Sequence, residues 1–487
     1  MTEKKEGELK ELRIGVGPSL PVKKLPKAPT TFKEYLIRCV GPGVILGSLA
    51  VGGFETQGTP FMASRGVLGI FWLAVLSAVI QSFWATELGR WAVVTGEDFF
   101  LGVRRVKPGR FWPWFWVIAS TNLYWPIYMT AAGYIMMRLT GLFNTSIWSW
   151  ILFAILIVAF IFTPRVYRAV EIFFYITYAV TIIAAIALLS YAMTPAVASA
   201  VLTGFFLPIT NPFEYFWKGI IPLSLIATCC VQYGGGTWNL LQGGWFVEKG
   251  YGMSSLVPGV TGLAWKAVEV PVRGVTFDPK DPENLKEYKK WMKWLDVENF
   301  GIYFALATFI TIAFAAISYA VFYPAGRVIK GAEAPISIAL AAKEVHIAFF
   351  YLMAICIALQ MWDTSWGLLD GISRMTADAV WRTAPTVAKR KTYRWWYYLF
   401  FFIYTIIGII LVPAKRPFAY WLIQHYAMVF QQIFLSFLII YMTGFLLPKE
   451  LRAPKWRLII IGIWGVFLTI FFIYWVGLSI ITGKVPV

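Results

Sequence analysis

The chain has 487 residues, of which 59% are hydrophobic and 14% charged, and its mean hydropathy is +0.66. Length alone suggests about three soluble domains, but repeated apolar stretches of membrane length exclude that and point to one polytopic membrane domain. The net charge of +18 invites a nucleic-acid reading, which the confinement of the charges to the stretches between apolar segments excludes.

Residues 1–38 form an N-terminal tail. Over 1–34 it mixes Lys, Glu and Pro and reads as mobile, and without an apolar signal core no cleaved leader is expected. Eleven apolar spans follow, at roughly 39–64, 67–94, 112–137, 146–163, 170–193, 219–247, 299–323, 345–381, 396–413, 418–446 and 458–482. With the tail inside, the cytoplasmic stretches hold 32 Lys and Arg and the outer ones nine. The positive-inside rule therefore sets a multi-pass protein of the cell membrane with its N-terminus in the cytoplasm and its C-terminus outside. Tryptophan and tyrosine, 24 of each, suit belts of rings at the membrane surfaces. Cys39, Cys229, Cys230 and Cys356 lie in or beside apolar segments and are poor material for a disulfide framework.

The first span contains Gly52-Gly53-Phe54-Glu55-Thr56-Gln57. Glycine weakens a helix interior by about 1 kcal/mol, and an interrupted helix in a bilayer persists only where protein or a watery cavity surrounds it. Glu55 at that depth costs a few kcal/mol unless paired, hydrated or protonated. Beside opened carbonyls at Gly52 and Gly53, with Thr56 and Gln57 adding neutral oxygens, it would form a hard oxygen site for a cation. The second span carries Glu87 and Arg90, a helical pair or a partner for charges elsewhere. Residues 194–218 predict a short helix on the outer surface.

The sixth span reads Cys229-Cys230-Val231-Gln232-Tyr233-Gly234-Gly235-Gly236. Gln232 precedes the break and is a second ligand candidate. Cys229 would be a soft ligand favouring a transition metal, although buried cysteine usually behaves as a small apolar residue. A soluble insert follows at 248–298. Its second half sets Leu285, Tyr288, Trp291 and Leu295 on one helical face opposite lysines, the pattern of an amphipathic helix lying on the membrane.

The eighth span is the other polar one. Asp363 and Asp370 are two turns apart on one face, and Asp370, Arg374 and Asp378 follow at intervals of four. With Glu87, they are the candidates for proton coupling or gating, or form a neutralised ladder. His346 and His425 have no sequence-evident partner. Zinc spacing, nucleotide-binding loops and catalytic constellations do not occur, so no enzyme activity and no resident cofactor is expected.

Spans one and six lie five helices apart and cross in opposite directions. If both are broken near the midplane, the chain is an all-α protein of two inverted five-helix halves plus an eleventh helix, with its site between the breaks. The first half with the broken sixth helix occupies 39–247. Residues 299–487 hold the remainder.

The run Gly41-Pro-Gly-Val-Ile-Leu-Gly-Ser-Leu-Ala-Val-Gly-Gly-Phe-Glu55 resembles the first helix of the Nramp divalent-metal transporters. Gln432-Ile-Phe-Leu-Ser436 is similar to that family's Gln-x-x-Leu-Ser element, and Gln81 with Thr95-Gly96 echoes its Gln…Thr-Gly pattern. The resemblance implies an eleven-helix carrier, monomeric, with Gln432 as a further ligand and a divalent cation as cargo. The family's Asp-Pro-Gly-Asn falls on Gly52-Gly53-Phe54-Glu55 and its Met-Pro-His is absent. An oxygen site, assisted by cysteine, is then expected. The rival cargo is an amino acid or organic amine, its ammonium held by Glu55; a channel or receptor on the same scaffold is the rival from another class.

Overall fold

In hydrocarbon a lone apolar segment satisfies its backbone only as a helix, and helices build nearly all of this chain. The computed structural model describes residues 10–121, 126–208, 211–266, 270–414 and 417–482. Among them the only strands are the two-residue pair Glu11–Leu12 and Leu20–Pro21. Eight helices are long and apolar enough to cross a bilayer, and the pair Phe32–Arg38 and Pro42–Ala63, bent by 68°, makes a ninth. Two shorter pairs, Phe111–Ala119 with Ile127–Thr140 and Leu223–Cys230 with Thr237–Lys249, occupy the places of spans three and six. The protein is an all-α polytopic membrane protein of about eleven spans. Span two, Phe71–Thr95, is central, with 72% of its most apolar stretch buried, whereas Lys455–Thr482 is peripheral at 28%.

The two interruptions differ in form. The first span stays helical but widens into a π-type turn over Val51–Gly58. The sixth leaves the helix after Cys230 and resumes at Thr237. There Tyr233 takes φ 66°, unusual for a residue with a Cβ, between ordinary helix and Gly234 at φ 87°. Its carbonyl accepts a hydrogen bond from Tyr303 Oη at 2.7 Å, which fixes the strained residue.

Three expectations meet the structure differently. Residues 194–218 form the short helices Pro195–Phe206 and Pro212–Trp217 among those described. The tail is not mobile over residues 10–31. Ile14, Leu20, Leu25 and Ala28 are buried, Val22 pairs with Thr276, and Arg105 Nη1 donates to Ile14 O and Pro18 O; residues 1–9 lie outside the described residues. The insert helix, Pro282–Asp296, is not a separate element. It runs on through Val297–Phe304 into Ala305–Phe322 as one 41-residue helix. Its apolar face is covered by the tail: Trp291 Nε1 donates to Pro26 O, Trp294 Nε1 to Pro29 O, and Trp294 stacks on Tyr35 at 4.5 Å. Amphipathicity reports that one face is covered; here protein covers it.

Tail, insert and the Lys/Arg-rich turns near 104, 168, 273, 382 and 452 touch one another at one end of the bundle, the basic face of the protein.

Candidate substrate site between the interrupted spans

Glu55 sits inside the widened turn of the first span and is fully buried. Its Oε1 accepts from Gln232 Nε2 at 2.7 Å and from Thr311 Oγ1 at 3.1 Å, while Oε2 has no partner. No ion pair reaches it among the described residues. Spans one, six and seven thus converge on one carboxylate through neutral donors. Gln232 is held in turn by its carbonyl, which accepts from Gln81 Nε2. The hydroxyls of Tyr128, Tyr178, Tyr233 and Tyr303 stand within electrostatic range of Glu55.

The surrounding amides are short of partners. Both polar atoms of Gln57 and of Gln432 are buried without a hydrogen bond, as are both of Asn239. Glycine matters here by close approach. A Cβ at Gly235 would fall on Gln432 Nε2, and one at Gly52 on Thr364 Oγ1. The absent side chains let span ten reach the sixth-span break and span eight reach the first. Gly53 faces Trp421 Nε1 and Tyr128 Oη.

The other expected residues separate. Thr56 turns its hydroxyl back onto Gly53 O at 3.3 Å. Cys229 is buried beside Cys230, with no polar contact to Glu55 among the described residues. Asp363 is apart from Asp370: it accepts from Ser48 Oγ at 2.9 Å and Thr177 Oγ1 at 2.5 Å, linking spans one, five and eight. Like Glu55, it is buried and meets only neutral groups. Asp370 instead pairs with Arg374 at 3.0 Å and accepts from Tyr397 Oη at 2.8 Å, and Arg374 reaches Glu248 of span six rather than Asp378. Glu87 pairs with Arg90 at 2.6 Å and Arg457 at 3.1 Å, not with span eight. His346 caps its own helix through Nδ1, and His425 Nδ1 meets Trp421 O at 2.6 Å. Among the described residues no group of three or more His, Cys, Asp or Glu is placed to hold a metal ion.

On the basic face, Glu298 accepts from the backbone of Gly41 at 3.1 Å and Gly43 at 2.7 Å and from Tyr35 Oη, clamping the bend of the first span. Glu97, in the turn after span two, meets Arg104 and Arg105, each at 2.9 Å. Burial alone would raise its pKa, but Arg105 and Arg104 overcome that and hold the carboxyl well below the usual range.

No family model matches the chain, and no curated protein matches it. Solved structures match it in fold. The manganese transporter of Eremococcus coleocola, crystallised as a point mutant, aligns at TM-score 0.62 and 11% identity over 94% of this chain and 90% of its own. Mhp1, a nucleobase-cation-symport-1 family transporter in a closed conformation with bromovinylhydantoin bound, aligns at 0.52 and 15% identity, over 93% and 95%. MhsT in complex with L-phenylalanine gives 0.51 and 13%, over 89% and 97%. The chain shares the fold of these three structures. At these identities the likeness is one of fold alone.

Thr311 and Asn239 were not anticipated as site residues. Thr311 carries no signal, since threonine is ordinary in a membrane helix. Asn239 did have one: a primary amide within a few residues of a helix break inside an apolar segment.

Proposed function

We propose that this protein is a membrane secondary transporter that carries a cation by alternating access, with Glu55 as the seat of the charge. The observation that carries the reading is the set of unpartnered buried groups, Glu55 Oε2 with the side chains of Gln57 and Gln432, at the meeting of the two interrupted spans. A buried polar atom without a partner costs about 1–3 kcal/mol. Such groups gathered around the two interruptions are retained when a ligand supplies the missing partners. Glu55 contributes the charge, Gln232 orients it, and Gln57 and Gln432 offer amide oxygens.

The cargo that fits best is a divalent metal ion bound by hard oxygen ligands. The close packing around Gly52 and Gly235 suits a small ion. One carboxylate and neutral oxygens make a modest site, as passage requires: binding strong enough to enter and weak enough to leave. Cys229 contributes nothing to this ligand set. One carboxylate leaves a divalent ion short of one charge, and Asp363, another buried carboxylate without a cation, supplies it by losing a proton. Rocking of spans one and six against the rest would alternate access. The positive-inside rule puts the basic face in the cytoplasm, with the N-terminus inside and the C-terminus outside, and the chain acts as a monomer.

A second reading, an organic amine or amino acid, draws on the unpartnered Asn239 and Gln424 amides and the Trp421 and Tyr128 rings beside Gly53. Calorimetry on purified protein with Mn²⁺, Mg²⁺ and a panel of amino acids, wild type beside Glu55→Gln, decides. Metal binding that is lost in the variant supports the proposal. Binding of an amino acid or amine with no metal binding moves the cargo to the organic class.

A further inference from the structure

Where the Asp370–Arg374–Glu248 network ends, a second cluster of charges begins that the transport site does not use. Asp98, in the turn after span two, and Asp378, on span eight, are both buried and line one partly open cavity of about 40 Å³. That is room for one to three waters. Neither carboxylate has an ion pair within 4.0 Å among the described residues. The groups that face them can be named from each neighbouring element. Glu97 lies beside Asp98 on its own turn; Arg374 and Arg382 come from span eight, Glu248 from span six and Tyr393 from span nine.

Arg374 is tied to Asp370 and Glu248, whereas Arg382 Nη1 donates to the neutral Val272 O at 2.6 Å, so its charge is left to face Asp98 and Asp378 together. The Nε atoms of both arginines are buried without a partner, so the cavity also holds unused donors that a water would satisfy. Asp98 Oδ1 accepts from Leu101 N at 2.6 Å, and Asp378 accepts from Tyr393 Oη. Two buried carboxylates that share the single charge of Arg382 are balanced when one proton sits between them, and resist being ionised together.

The position gives this pair its meaning. Gly244 and Glu248 of the sixth span form one wall and Asp378 with Arg374 of the eighth the other. In the transporter reading, on which a gating role rests, these walls belong to the two bodies that move against each other. We propose that Asp98 and Asp378 hold one proton between them, and that its release opens the basic face of the transporter. With the proton present, the two oxygens share it and the walls stay together. On its release into the cavity water, and from there to the aqueous phase at the basic face, two carboxylate charges confront each other across the seam and drive it apart. Burial first, and the Asp378 charge second, push the Asp98 carboxyl up to about 8, so the switch falls near neutral to mildly alkaline pH.

Two measurements on the purified full-length protein in lipid, without any cargo, test this independently of what is carried. In infrared spectra recorded from pH 6 to 10, wild type should show a protonated-carboxyl C=O band that is lost with rising pH and is missing from Asp98→Asn and from Asp378→Asn. If Asp98→Asn removes only carboxylate intensity at pH 6, the shared proton does not exist. Cys39, buried on the basic face beside the Glu298 clamp, reports the opening. Its maleimide labelling rate in wild type, divided by the rate in Asp98→Asn at the same pH, cancels the intrinsic pH dependence of the thiol. The expected ratio is near one at pH 6 and rises several-fold by pH 9. A flat ratio overturns the gating role, and Asp378→Asn repeats the test should Asp98→Asn fail to fold.

Discussion

At the crossing of the first and sixth spans Glu55 is surrounded by neutral donors, whereas on the basic face Glu97, Glu87, Asp370 and Glu171 each meet a Lys or Arg. Both settings are buried, so burial does not separate them. What differs is compensation. A carboxylate matched by guanidinium groups in the folded chain belongs to the architecture, because its charge is complete without anything bound. One that faces only amides and hydroxyls keeps an unmatched charge. Both oxygens of Glu298 are spent on the bend of the first span, whereas Glu55 Oε2 is left without a partner, open to the proposed ligand. The same contrast runs along span eight, where Asp363 meets Ser48 and Thr177 while Asp370 meets Arg374.

The contrast breaks most visibly if substitutions at the two kinds of site have the same effect. Glu97→Gln leaves two buried arginines without their anion and is expected to destabilise the fold by ~3–5 kcal/mol, read as a lower melting temperature in detergent. Because the folded Glu97 pKa is depressed, its contribution is present above the ordinary carboxylate range and is lost as pH falls through it. Glu55→Gln should leave the melting temperature unchanged or higher and weaken cation binding by about 1.5–3 kcal/mol, the worth of a charge-assisted contact. Gly235→Ala places a methyl group on Gln432 Nε2 and is expected to cost about 1–3 kcal/mol by overpacking, with lost uptake in a protein that still purifies. The smallest effect is expected of Cys229→Ala. Its ratio of Mn²⁺ to Mg²⁺ affinity should match wild type to within about twofold, a shift of ~0.4 kcal/mol; a larger fall would make the cysteine a ligand.

The architecture was legible because membrane spans announce themselves by length and hydropathy, and because both glycine runs do mark interruptions. The form of the first was not legible. Gly52 and Gly53 permit a wide turn as readily as an unwound one, and the choice is made by span eight, whose Thr364 packs onto Gly52. Glu55 and Gln232 stood out in the sequence because a polar side chain in an apolar run is rare, and Gln432 through its resemblance to the Gln-x-x-Leu-Ser element. Thr311 was hidden because its hydroxyl also serves Ala307 O at 2.8 Å, the common habit of a helical threonine. Asp363 and Asp370 share a helical face yet not a function. Seven residues climb about 10 Å, and over that rise the neighbours change from spans one and five to span nine. The amphipathic insert helix misled for a similar reason, since periodicity tells that a face is covered and is silent on what covers it.

The most direct test of the transport claim is uptake into proteoliposomes preloaded with unlabelled Mn²⁺, comparing wild type with Glu55→Gln. Wild type should show counterflow, a transient accumulation of labelled Mn²⁺ against the excess inside, that saturates with concentration and vanishes in the variant. Uptake that neither saturates nor shows counterflow, or that is the same in Glu55→Gln, would contradict a carrier whose cargo sits on Glu55.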